Sequence, residues 1–378
     1  MHALRLAVVE LAALPLLVIA GTQIQKWESW HRHHMALGLL VALAALPLLQ
    51  LIPLPPAIWA NLPGRDQLTL ALTLAGMEPG WVPLSLTPDK TWQSFLALIP
   101  PVAMFLAVLM ATIEVKRQLV YLVLAATVAS VILAALQVAS GGNHFYLWPD
   151  AYGGGVEGIF ANRNHLATLL VATLPFAGVL AGASLRHRGD RNQTGLWLGA
   201  AFIGLVVVAT GVVQSRAGVI LIGPSLVATG LAAWIASGRK RPGPAFFGLA
   251  AVVGIAIAAV GLFALGPILA RFDPNAPAEG RFENWPYVAE AAQTYLPVGS
   301  GIGSFDPVYR SVEPLDRLDP TYFNQAHNDY LETWLEAGWL GAALIITFLV
   351  WWGRRSWACW RAPPSRNTDL QRAASAAM

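Results

Sequence analysis

The chain has 378 residues, 56% hydrophobic and 12% charged, with mean hydropathy +0.54 and a formal net charge of +3. Soluble domains carry about 25% charged residues, so this composition excludes an ordinary water-soluble domain: lipid must solvate much of the surface. Cys359 is the one cysteine, which excludes a disulfide framework and a cysteine-based metal cluster and reads as an inert thiol near a helix end.

Residues 4–21 are apolar but interrupted by Arg5 and Glu10, and no small-x-small cleavage site follows. They read as an uncleaved first span rather than a signal peptide. Stretches of about 20 apolar residues mark spans. Eight more lie at 35–53, 93–111, 119–139, 165–184, 195–213, 219–237, 245–269 and 331–352, which makes nine.

Lys and Arg set the orientation. The loops 22–34, 112–118, 185–194 and 238–244, with the tail from 353, hold 15 basic residues against four acids. The opposite side holds nine basic residues and 16 acids. Basic loops stay in the cytoplasm, so the N-terminus is expected outside and the C-terminus inside. The expected organisation is one integral-membrane domain over 1–361 and a disordered cytoplasmic tail over 362–378, which contains Pro363 and Pro364. Three long outer loops, 54–92, 140–164 and 270–330, hold the polar sequence in which function is expected to lie.

The first outer loop is rich in proline and tryptophan and predicts a short surface helix over 65–75. The second contains GGGVEGIFANRNHLATLL, with Asn162, Arg163, Asn164 and His165 at the mouth of the fifth span. One asparagine there is a good helix cap; four polar side chains in a row also fit a polar site. Between spans six and seven is the tight turn QSRAG. Arg216 in that turn either snorkels to headgroups or faces a polar cavity.

The third outer loop is the richest. Residues 283–296 form an amphipathic stretch suited to the membrane surface, with Trp285, Val288, Ala289, Ala292, Tyr295 and Leu296 on its apolar side. GSGIGSF follows at 299–305, but no parallel strand precedes it, so a dinucleotide fingerprint lacks its context. A turn in which backbone approaches backbone is the better reading. His327, Asn328 and Asp329 then open the ninth span, as a cap or as a functional group.

In order, these elements resemble the O-antigen ligase and polymerase family. HNDYLETWLEAGWLG is similar to its His-Asn-x-Tyr-Leu signature with a Glu-x-Gly-x-x-Gly ending. RFENWPYVAEAAQTYLPVGSGIGSF is similar to its Arg-x-x-x-Trp element and the glycine run after it. QSRAG resembles its Ser-Arg-Gly turn, with Ala217 replacing the usual neighbour, and IFANRNHLA and VPLSLTPDKT resemble further segments. The resemblance covers roughly residues 80–345. It implies an all-α, GT-C-like transmembrane helix bundle, although family members often have about twelve spans.

It also implies a bacterial inner-membrane enzyme with its active site at the periplasmic face. Such an enzyme transfers a glycan from undecaprenyl pyrophosphate to a hydroxyl of lipid A–core, a growing glycan or another acceptor, without a metal, cofactor or nucleic acid. Arg216 and Arg281 match the family's two arginines, whose forked, fixed charge suits pyrophosphate oxygens. His327 matches its histidine, a base whose ordinary pKa is near neutrality. Asn162, Asn164, His165 and Asn328 are candidate substrate-binding residues. In-line attack would invert the anomeric carbon.

A polymerase using the same donor is an alternative that short motifs do not separate from a ligase. The alternative from another class is a lipid-linked sugar transporter. A transporter predicts repeats and polar or broken helices near the midplane. Here the span interiors are nearly free of charge, with Glu10 the main exception, and Glu332 and Glu336 lie in the first turns of the ninth span.

Overall fold

The computed structural model describes residues 2–24, 30–78, 80–148, 155–186, 191–238, 281–315, 318 and 323–378, with scattered positions between 247 and 266. The fold is an all-α polytopic bundle. Among the described residues the only strands are Pro53–Leu54 and Val82–Pro83, paired antiparallel. Among the described residues seven helical stretches are long and apolar enough to cross a membrane: Leu6–Gln23, Pro88–Met110, Ile113–Ala139, Arg163–Ser184, Thr194–Val213, Arg216–Ala236 and Asp329–Arg361. An eighth apolar helix, His34–Gln50, has 17 residues. It stops there because the residue before Pro53 disfavours the helical conformation. The span expected at 245–269 lies largely outside the described residues.

The chain divides into two compact units where the sequence suggests a single domain over 1–361: one of Met1–Ala111 with Ala278–Trp351, the other of Thr112–Pro277 with Trp352–Met378. In the first unit, α1 (His2–Ile24) packs on α6 (Ile99–Met110), and α2 (His34–Gln50) on α5 (Pro88–Ala97). The surface helix predicted at 65–75 is α4 (Asp66–Leu74), which follows the short α3 (Pro56–Trp59). The stretch predicted to lie on the membrane is α11 (Arg281–Thr294), but protein covers its apolar face. Val288, Ala291 and Ala292 are buried against Phe305, Val308 and Tyr309 of α12 (Phe305–Val312) and Leu335 of α13 (Asp329–Arg361).

The second unit is built around α8 (Arg163–Ser184), flanked by α7 (Ile113–Ala139), α9 (Arg191–Val213) and α10 (Arg216–Ala236). Of its spanning window 61% is buried, against 17% for α7, which marks α8 as the central helix of this unit. Lipid offers no hydrophobic drive between helices, so close backbone packing supplies it. A Cβ on Gly182 would lie 2.9 Å from the Cα of Ala233, so α8 and α10 meet through small residues. Ser225 Oγ adds an interhelical hydrogen bond to the Val171 carbonyl at 3.0 Å.

The segment 362–378, expected to be a disordered tail, instead carries the helix α14 (Arg366–Ala377). Ser365 and Thr368 close a reciprocal capping box at its start. The buried Asp369 accepts from Arg186, after α8, and from the fully buried Arg372 at 2.8 Å. Ala373 packs with Ala232 and Ala236 of α10. Burial pushes the Asp369 carboxyl above its ordinary pKa, and the two guanidiniums oppose that shift. The polar composition of the segment hid this, because its order comes from one carboxylate shared by Arg372 of the same helix and Arg186, which is distant in sequence.

Asp369→Ala leaves Arg372 buried without its carboxylate. Breaking a buried pair typically costs about 3–5 kcal/mol. The expected outcome is a lower melting temperature in detergent and earlier proteolysis after Arg361; unchanged melting and cleavage would remove the clamp from the fold's stability.

Candidate functional site

In the first unit the glycine-rich segment forms a backbone junction. Gly299 has φ +83° and Gly338 φ +55°, both left-handed, and Gly338 breaks the helical geometry of α13. A Cβ on Gly299 would lie 2.8 Å from the Gly338 nitrogen, and a Cβ on Gly338 2.9 Å from the Gly299 nitrogen. Only glycine at both positions allows this approach. Across the junction, the Trp339 amide donates to the Pro297 carbonyl at 3.0 Å, and Ser300 N to Leu335 O at 3.0 Å. The segment therefore seats backbone on backbone, as its sequence context suggests.

Side chains of two motif segments and one residue outside them, Gln50, hold this junction. Glu336 is buried, and its Oε1 accepts from the Phe305 amide at 2.9 Å. Its own carbonyl accepts from Gly301 N at 2.9 Å and from Gln50 Nε2 at 2.9 Å. Gln50 Oε1 accepts from Ile302 N at 2.9 Å, so one carboxamide at the end of α2 clamps both strands of the junction. The fully buried Thr91 donates to the Ile302 carbonyl at 2.6 Å and lies 2.7 Å from Ser85 Oγ. Ser85 and Thr91 belong to VPLSLTPDKT, which explains why that segment accompanies the glycine run. Gln50 left one signal in the sequence, a polar residue closing an apolar helix.

His327 sits beside this junction. Its φ is +51°, and the side chain is exposed, with its ring edge-on to Phe323 at 5.7 Å. A left-handed non-glycine residue costs about 1–2 kcal/mol, so the surroundings must impose it. They do so through Ala326, whose amide donates to Glu332 Oε2 at 2.9 Å and whose carbonyl accepts from Trp285 Nε1 at 2.9 Å. Trp285 is the tryptophan of the Arg-x-x-x-Trp element, so one motif pins the backbone next to the other. Asn328 is a helix cap: its Oδ1 accepts from Leu331 N at 3.2 Å. Arg281 opens α11, and its side chain lies outside the described residues.

In the second unit two turns are joined. Asn162 caps α8, accepting from Asn164 N at 2.8 Å. Asn164 Oδ1 accepts from Ser215 Oγ at 2.8 Å, and Ser215 caps α10 by accepting from Gly218 N. Gln214 before it has φ +51°, a second imposed left-handed residue at a motif turn. This places Arg216 at the first position of α10, half-buried. Among the described residues its guanidinium has neither a hydrogen bond nor an ion pair. His165 is exposed, its ring edge-on to Phe160 with centroids 6.2 Å apart. Asn162 and Asn164, candidates for substrate, thus have their carboxamide oxygens committed to the turns.

Another arginine escaped the sequence reading. Arg65, in the first unit, is fully buried; Nη2 donates to the Leu84 carbonyl at 2.6 Å. Its guanidinium carbon is 5.4 Å from the Tyr295 ring centroid and 5.9 Å from that of Trp59. Burial lowers its pKa and raises that of Tyr295. Cation–π attraction stands in for an acid here, tying the loop between α2 and α5 to the end of α11.

Residues 198–346 match the family model described as O-antigen ligase, which bears out the family resemblance through the three motifs in that stretch; VPLSLTPDKT and IFANRNHLA lie before it. The match spans Arg216, Arg281, the glycine junction and His327; Asn162, Asn164 and His165 precede it. No curated protein and no solved structure matches the chain.

Glu336→Leu leaves the buried Phe305 amide unpaired and is expected to cost about 1–3 kcal/mol. Glu336→Gln keeps an acceptor and is expected to melt close to the wild type. Thermal melts of the purified pair check this; equal melting of the two variants would dismiss the Glu336 clamp.

Proposed function

We propose that the chain is a glycosyltransferase of the O-antigen ligase type, multi-pass in the bacterial inner membrane, with its active site on the periplasmic side. It transfers a glycan from undecaprenyl pyrophosphate to a hydroxyl acceptor, lipid A–core or another glycan, in lipopolysaccharide or exopolysaccharide assembly. The observation that carries this reading is the O-antigen ligase match, which contains all three residues of the proposed chemistry. The all-α polytopic fold agrees with a GT-C-like enzyme. A polymerase uses the same donor and the same chemistry, and the acceptor separates the two.

In the proposed reaction the acceptor oxygen attacks the anomeric carbon, and its proton passes to His327. The bond from that carbon to the pyrophosphate oxygen breaks, with inversion. Arg216 and Arg281 neutralise the charge gathering on the leaving pyrophosphate, a role that arginine performs through paired hydrogen bonds without a metal. The imposed left-handed backbone at His327 supports its assignment, since strain of this kind collects at working sites. Asn328 and Asn164 then act by positioning backbone rather than by touching substrate.

Reconstitution with a lipid-linked oligosaccharide tests the reading. The expected products are free polyprenyl pyrophosphate and either one ligated species or a chain ladder. Turnover is expected to persist in excess chelator; loss that Mg²⁺ or Mn²⁺ restores would refute metal independence. Transport of intact donor without either product would favour the transporter.

His327→Asn isolates the chemistry, because asparagine tolerates the left-handed backbone. General-base catalysis is worth about 10²–10⁴-fold, so turnover is expected to fall by that factor while donor binding is kept. Near-wild-type turnover would shift the base role to His165. Arg216→Lys and Arg281→Lys keep charge but lose the fork, and both are expected to lose activity. Wild-type donor affinity and turnover in both lysine variants would reduce these arginines to headgroup anchors.

A further inference from the structure

Within the second unit, α7, α8, α9 and α14 enclose an open groove of about 840 Å³ that is mainly apolar. On α7 it is lined by Arg117, Tyr121, Leu124 and Val128, one face of the helix. Arg117 to Val128 spans about 16 Å at 1.5 Å per residue. That is about one leaflet of a hydrocarbon core roughly 30 Å thick. On α9, Leu198 and Leu205 face it and are 67% and 37% exposed, so apolar surface here lacks a protein partner.

The polar lining comes from helix ends. Arg117 is in the second turn of α7, Arg186 follows the end of α8, and Arg366 begins α14. Asp369 is the acid of this rim, and it already accepts from Arg186 and Arg372. Arg117 donates to the Tyr121 hydroxyl at 3.3 Å, and Arg366 is exposed. Arg186 Nε is buried with no partner. The rim thus keeps an excess of positive charge beside a slot one acyl chain deep.

We propose that this groove is a resident site for an anionic glycerophospholipid, with its phosphate on Arg117 and Arg366 and an acyl chain along α7 and α9. Charge complementarity selects the anionic headgroup, and the length of the apolar slot selects a lipid over a soluble anion. The lipid covers the exposed leucines and joins α14 to α7.

Native mass spectrometry of the full chain in detergent tests this, with phosphatidylglycerol and phosphatidylcholine as probes. One phosphatidylglycerol is expected to survive delipidation, and phosphatidylcholine is expected to leave. Arg117→Gln with Arg366→Gln is expected to lower retention by about an order of magnitude or more, since each removes a basic contact to the headgroup. Ala125→Trp fills the groove from an exposed position on α7 and leaves the arginines intact, and it is expected to displace the lipid. Glycerol 3-phosphate is expected not to compete. Equal retention of the two lipids, wild-type retention in both variants, or displacement by glycerol 3-phosphate at matching concentration would overturn the proposal.

Discussion

A backbone that leaves its helix near the membrane must find partners for every amide and carbonyl it frees, because lipid supplies none. In the first unit that requirement converges on the junction of residues 297–305 with Glu336 and Gly338. Glu336 serves it twice, accepting at Oε1 from Phe305 and at its carbonyl from Gly301 and Gln50. Thr91 and Gln50 complete the set from distant parts of the chain. The glycines bring the strands together; the polar side chains make that approach tolerable.

This division of labour recasts the motifs. Most of their residues maintain backbone geometry: Trp285 and Glu332 grip Ala326, Asn328 caps α13, and Asn164 fastens the Ser215 cap. The results are two left-handed residues: Gln214, two residues before Arg216, and His327 itself, Arg216 and His327 being side chains proposed for the chemistry. A motif here is mainly a support for one or two side chains proposed to carry the reaction. That is why substituting its hydrogen-bonding members is a test of stability, and substituting Arg216 or His327 a test of reaction.

The second unit solves a different problem, helix association in a solvent as apolar as the side chains. Glycine and alanine let α8 approach α9 and α10 closely, and the C-terminal helix is tied down by a shared carboxylate. Where α7 and α9 do not close on each other, apolar surface stays open beneath arginines, and a lipid is the chemistry that fits it.

The sequence by itself determined the class of fold, because a chain with 12% charge and repeated apolar stretches has only the helix bundle or barrel available in lipid, and the runs are of helical length. It also determined the family resemblance and the positions of Arg216 and His327, since motif order is a one-dimensional property. Even the glycine run was legible as a backbone approach, because it lacked the strand a phosphate loop needs. Only the tertiary structure decided what lies opposite that run. Gln50 pairs with Ile302 and Glu336 across more than two hundred residues, and no local pattern encodes such a partner. The same holds for Arg65, whose partner Tyr295 comes from far along the chain, and for α14, whose polar composition looks disordered until Arg186 meets Asp369. Composition and spacing record what each segment prefers alone, whereas a buried charge is decided by what the fold brings to it.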